Sequence, residues 1–273
     1  MKNNHKLFTI IVSLFMIACT KETNDINSNS DCKLSSITYD ADPYLKFDIT
    51  YSGNKIVSMI QSIDNPDYKM TFYYNNDNLL SHKYLIDIPT NRIVDVDSFI
   101  YNSNKQVSIF NWYSVDEDGK RDLEYQSRRT YNEMNQLISY RDSTLAEFDY
   151  RIYVGSIEYS NNRKQKETKS IYDKNNNFKG KEIYEYIYSN TPNNIFNIID
   201  QSTDILYFTP TSFEDFKNTD LLVSRVIYKE YDNENTLVDT YTIEYTYTTE
   251  NGKLVSVSND NIGPFLKFGY NCE

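Results

Sequence analysis

Two short stretches concentrate the side chains best suited to touching a ligand. In Ile183-Tyr184-Glu185-Tyr186-Ile187-Tyr188 and Tyr241-Thr242-Ile243-Glu244-Tyr245-Thr246-Tyr247 aromatic residues alternate with others, and residues two apart on a strand share a face. Tyr184, Tyr186 and Tyr188 form one stripe; Tyr241, Tyr245 and Tyr247 form another, with Ile243 among them. A tyrosine offers a flat apolar ring with a polar tip, so such stripes could stack sugar rings. They could equally be the packed side of a sheet, and with 26 Tyr in the chain, core and cross-strand packing is the reading for most of them.

Catalytic chemistry has fewer candidates. His5 lies in the leader described below, so His82 is the one histidine of the remaining chain. That excludes a histidine-rich zinc site and makes any Ser-His-Asp triad depend on a single residue. His82 sits in Leu79-Leu80-Ser81-His82-Lys83-Tyr84, with no nucleophile-elbow glycine, and reads as a surface imidazole. The 39 Asp and Glu permit a carboxylate pair for glycoside hydrolysis, but abundance does not set a separation. Asp116-Glu117-Asp118-Gly119 has the alternating acids of a calcium loop, yet Ser127 falls at the twelfth position, where a bidentate Glu is required. Asp118-Gly119 is instead a strong hairpin signal. No phosphate loop or metal-ligand cluster appears, so no catalytic residue, cofactor or metal is expected.

The elements that carry these residues repeat. Phe72-Tyr73-Tyr74-Asn75-Asn76-Asp77-Asn78-Leu79-Leu80-Ser81 is an aromatic strand end, a polar turn and a strand opening on aliphatics. The pattern returns around Tyr51, Tyr101 and Tyr131. Three copies place Ser seven positions after Tyr, and the copy at Tyr131 adds one turn residue. Successive tyrosines are 23, 27 and 30 residues apart, room for two strands and two turns but too little for strand-helix-strand units. The expectation is an all-β antiparallel meander of repeated hairpins forming one large curled sheet or a barrel-like single domain over 33–273. With seven Gly and six Pro, its turns must rely on Asn, Asp and Ser. Residues 190–221 break the rhythm and read as an irregular insertion, either a cover for an open apolar face or a functional loop. Charged Arg163 to Lys169 reads as an edge strand or solvated face.

The N-terminus carries an address. Lys2 and Lys6 precede the apolar run Leu7 to Ala18, an export signal too short for the roughly 20 residues of a membrane-spanning helix. Residues 19–32 are a polar tether. Cleavage before Cys19 removes Lys2 and Lys6 and no acid, so the formal net charge of −11 becomes two units more negative. Such a domain repels phosphate backbones, and nucleic acid is not an expected partner. Cys32 and Cys272 bracket the domain, and in an oxidising compartment a disulfide between them is expected.

Met16-Ile17-Ala18-Cys19 resembles the lipobox of bacterial lipoproteins, which implies diacylation of Cys19 and a membrane anchor. Lys21-Glu22 resembles the signal that sends Bacteroidota lipoproteins to the cell surface. The units at Tyr74, Tyr131 and Tyr231 resemble the YD repeats of large bacterial surface and toxin-shell proteins, with Asn where those favour Gly. The whole chain resembles Bacteroidota lipoproteins of unknown function with a porin-like β fold. The resemblance implies an outer-membrane, lipid-anchored protein at the cell surface, with the periplasmic face as the alternative, and carries over no catalytic residues. The expected role is non-enzymatic: structural, adhesive, or binding a glycan, an envelope protein or another ligand. A carboxylate-dependent glycoside hydrolase and a carrier of an apolar ligand are the alternatives.

Overall fold

The computed structural model describes residues 33–39, 46–61, 66–145, 150–192, 221–250, 253–260 and 263–271. The leader, Cys19, the tether, Cys32 and Cys272 lie outside the described residues. The first eight strands are β1 (Lys33–Tyr39), β2 (Lys46–Ser52), β3 (Lys55–Gln61), β4 (Tyr68–Tyr74), β5 (Leu80–Asp87), β6 (Arg92–Tyr101), β7 (Val107–Val115) and β8 (Arg121–Tyr131). The second eight are β9 (Leu137–Thr144), β10 (Arg151–Ser160), β11 (Arg163–Asp173), β12 (Phe178–Pro192), β13 (Leu221–Tyr231), β14 (Leu237–Glu250), β15 (Lys253–Asn259) and β16 (Gly263–Asn271). Each strand pairs antiparallel with its chain neighbour, and β1 pairs with β16, so the sheet closes into a barrel. The expected meander of hairpins is therefore a closed barrel and not an open curled sheet.

Closure corrects one expectation. Arg163 to Lys169 is no edge, because β11 pairs with both β10 and β12, and Lys164 is buried. Lys164, Glu167 and Lys169 face inward and meet partners there, as described below. The expected irregular insertion falls between the end of β12 at Pro192 and the start of β13 at Leu221. Its residues 193–220 lie outside the described residues.

The turns explain how the chain manages with so little glycine. At Asn75 the backbone N–H of Asn78 donates to the Asn75 carbonyl, and Asn78 takes φ 64°. The Asn75 side-chain Oδ1 accepts from the amides of Asp77 and Leu79, both at 3.0 Å. Asn102, Asp116, Asn132, Asp173 and Asp232 make the same paired contacts in their own turns. The short carboxamide or carboxylate takes over turn amides, and an Asn tolerates the left-handed position that follows. The acidic segment at Asp116 is one of these turns, with Gly119 at φ 80°.

The recurrent tyrosine has a structural reason. Tyr51 donates its hydroxyl to the carbonyl of Leu34, Tyr74 to Ile56, Tyr101 to Leu80 and Tyr131 to Val107. Tyr159 donates to Leu137, Tyr188 to Lys164, Tyr247 to Val223 and Tyr270 to Leu254. These bonds span 2.7–3.0 Å, and each runs from an even strand to one of the first three residues of the odd strand before it, here its opener. Most of these tyrosines also pair laterally with the next opener, as Tyr74 does with Leu80 and Tyr270 with Leu34. The links therefore run round the barrel and meet across the chain ends. Each opener is followed by a β-bulge residue, such as Ser81 or Ser108, at which the register shifts by one. Leu34, Ile56, Leu80, Val107, Val223 and Leu254 are buried against the ring. It fills the barrel at the end where β1 begins and β16 stops.

Candidate functional site

Beyond the ring the interior changes character by layers on β5 to β8. Phe99 and Phe110 pack first, with ring centroids 5.3 Å apart. Next, Lys83 and Asp97 form an ion pair with side chains only 5% and 7% exposed. Farther still from the ring, Asp95 faces inward, two residues along the strand from Asp97. A cavity of about 360 Å³ opens at this level, lined by Lys83, Leu85, Asp95, Asp97, Phe110, Trp112 and Tyr125.

Alternation places these residues. In Asp95-Val96-Asp97-Ser98-Phe99 the acids share the face of buried Phe99, and cross-strand pairing sets Asp97 opposite both Lys83 and Trp112. Burial raises the Asp97 carboxyl above its ordinary value, against the opposing pull of Lys83. Burial also raises Asp95, with the neighbouring Trp112 indole and the Lys83 charge opposing and the charges of Asp97 and Glu124 adding to it. Trp112 is 39% exposed, so its ring remains open to the cavity. The arrangement is a flat apolar wall beside hydrogen-bond acceptors, one of them held by a lysine.

The wall continues on β8 to β12 as a polar knot. Glu167 accepts from Lys164 Nζ at 2.7 Å, from Tyr186 at 3.3 Å and from the hydroxyl of Tyr140. Lys164 and these donors outweigh burial and hold Glu167 below its ordinary value. Lys169 pairs with Glu182 at 2.8 Å, and Tyr184 donates to the same oxygen at 2.7 Å. Tyr140 lies over Gly155 on the neighbouring strand, where a Cβ would stand 2.1 Å from its ring. Among the described residues no group of three His, Cys, Asp or Glu is placed to hold a metal ion.

The six tyrosines singled out in the sequence all face inward but separate by depth. Tyr188 and Tyr247 belong to the sealing ring. Tyr186 and Tyr245 are buried in the core, at 6% and 9% exposure. Tyr184 meets Tyr228 edge to face and Tyr241 lies tilted against it on the other side, and of the six Tyr241 alone is prominently exposed, at 45%. Stripe membership therefore did not make them one platform. The cavity residues Lys83, Asp95, Asp97, Trp112 and Tyr125 were missed, as was Tyr228. The available signal was an acid on the core-facing side of a strand, at Asp95 and Asp97. His82 lies on the outer face, half-buried, with its ring 6.2 Å from that of Tyr84. Burial, then the charge of Arg121, lowers its pKa.

No family model matches the chain, and no curated protein matches it. Among solved structures it is similar to a porin-like protein from Bacteroides vulgatus ATCC 8482, at 10% identity and TM-score 0.41, covering 88% of this chain and 99% of that one. It is also similar to a porin-like protein from Bacteroides uniformis ATCC 8492, at 14% identity and TM-score 0.44, covering 88% and 98%. A complex described as TcdB2-TccC3-Cdc42 aligns over 80% of this chain and 12% of that one, at 9% identity and TM-score 0.21.

Proposed function

We propose that the chain is a non-enzymatic, lipid-anchored envelope protein whose barrel binds a saccharide in the cavity beside Trp112. The carrying observation is the pairing of that 39%-exposed indole with Asp95 and Asp97 in one cavity. A pyranose presents a C–H face that stacks on an aromatic ring and hydroxyl donors that suit carboxylate acceptors. Lys83 inside the pocket suits a polar ligand better than an apolar cargo.

The same two acids define the hydrolase alternative. Glycoside hydrolysis calls for two carboxyls whose environments push their pKa values apart. Asp95 and Asp97 are both raised, chiefly by burial, which favours binding over an acid and base division of labour.

β1 starts at the filled, tyrosine-ring end of the barrel, and the cavity lies toward the other end. The outer face carries the ion pairs Lys166–Glu158 at 3.0 Å and Lys229–Glu185 at 2.8 Å. Lipid-facing positions of a membrane barrel are apolar, so anchorage is assigned to acylated Cys19 and not to insertion of the strands. Lys33 pairs with Asn271, one residue from Cys32 and Cys272 respectively, which supports a disulfide locking the seam. Intact mass with and without reductant tests that bond; two alkylatable thiols in the native protein would refute it.

A glycan array probed with the purified domain, with hydrolase assays on the same glycans, tests the function. Retained, uncleaved glycan is the expected result. Cleavage would establish the hydrolase, and silence on every glycan would remove the binding role.

A further inference from the structure

A second wall of the interior, on β12, β13 and β14, shares no residue with the cavity. The register sets Tyr184 across from Tyr228 and Tyr228 across from Tyr241. Their ring centroids are 5.3 Å and 4.5 Å apart, and Tyr241 is 45% exposed. Two residues nearer the 232–236 turn, Glu182, Glu230 and Asp239 are likewise directly opposed. Like charges in that position destabilise a sheet.

Lys169 balances Glu182 at 2.8 Å. Glu230 meets the Tyr228 hydroxyl at 3.3 Å and Asp239 meets the Thr240 amide at 2.8 Å, so among the described residues no cation pairs with either. The negative field reaches the rings: partial burial, then Asp239, Glu182 and Glu230, raise the pKa of Tyr241. Two carboxylates without a counter-charge among the described residues, beside the exposed ring of Tyr241, form a place for a cation with an apolar body. A bare metal ion fits poorly, because these acids are spread along a ladder and do not converge as ligands.

We propose that this wall binds an organic ammonium ion, its alkyl groups against Tyr241 and Tyr228 and its charge facing Glu230 and Asp239. Cation–π contact and the two carboxylates then act on the same group. The site stands whether or not the Trp112 cavity takes a saccharide.

The test is titration of the full chain with choline and with neohexanol, its uncharged carbon isostere, followed by calorimetry and NMR. Choline is expected to bind and neohexanol to bind at least about tenfold more weakly, the loss of one charge-assisted contact of roughly 1.4 kcal/mol. Tyr241→Ala and Asp239→Asn are each expected to weaken choline about fivefold, while Tyr241→Phe and Trp112→Ala leave it unchanged. Tyr241 and Asp239 are exposed, and unchanged circular dichroism and melting confirm that the variants fold. Equal affinity for both probes, no choline binding, or binding indifferent to Tyr241→Ala and Asp239→Asn would overturn the proposal.

Discussion

The hydroxyl of Tyr51 donates to the carbonyl of Leu34 at 2.8 Å, and Leu34 is also the lateral partner of Tyr270. One residue from the first strand is thus held by a tyrosine from the second and one from the last. The tyrosine ring therefore reinforces the seam that backbone pairing of β1 with β16 closes. Above it, the same barrel wall presents the cavity of Trp112, Asp95 and Asp97.

If the ring hydroxyls stabilise the barrel, Tyr101→Phe removes the bond to Leu80 and lowers stability by about 1 kcal/mol. Tyr73→Phe, on the exposed outer face, is expected to change stability little. Urea denaturation of both variants is the check, and equal losses would deny the ring its role.

Alkaline pH probes the same ring. Burial, then the neighbouring phenol, raises Tyr51 and Tyr270 to about 12. Their protonated forms are favoured in the folded state, so this stability is fully present below the unfolded tyrosine value of about 10. It is lost as pH climbs from there toward 12. Urea midpoints measured across that window should fall, and Tyr51→Phe should flatten the slope. A midpoint independent of pH in this range would show that ionisation of these phenols is not linked to unfolding.

The pair Lys83–Asp97 should show the asymmetry of buried charges. Lys83→Met alone leaves Asp97 without its cation and is expected to cost about 3–5 kcal/mol, whereas Lys83→Met with Asp97→Leu restores most of that loss. Thermal melts of the two variants decide, and a double variant as unstable as the single one contradicts the assignment.

Gly155 is required by its neighbour. An alanine Cβ would sit 2.1 Å from the Tyr140 ring, so Gly155→Ala is expected to cost about 1–3 kcal/mol through overpacking. In a Tyr140→Ala background the same substitution should cost much less. Equal penalties in both backgrounds, measured by denaturation, would place the constraint elsewhere.

Local chemistry made the hairpin legible in the sequence. Asn75, Asn102 and Asn132 satisfy turn amides within four residues of themselves, and the tyrosine before each turn marks the strand end. What stayed hidden depends on distance along the chain. Whether the sheet curls or closes rests on pairing Lys33 with Asn271, which no local pattern encodes. Parity assigns a face but not a depth, so Tyr184, Tyr186 and Tyr188 read as one platform although they occupy three environments. Charged Glu167 resembled a solvated residue because two of its donors, Tyr140 and Tyr186, come from other strands, and so did Lys164, which lies over the Tyr186 ring. Asp95 and Asp97 were readable in principle, since they alternate with Phe99 on the buried face.

Calorimetric titration of a glycan captured on the array, into the wild-type chain and into Trp112→Ala, tests the central claim most directly. The account predicts saturable binding that falls at least about tenfold without the indole, the loss of one stacked ring of roughly 1.5 kcal/mol, while Tyr241→Ala binds as the wild type does. Undiminished affinity in Trp112→Ala would contradict it.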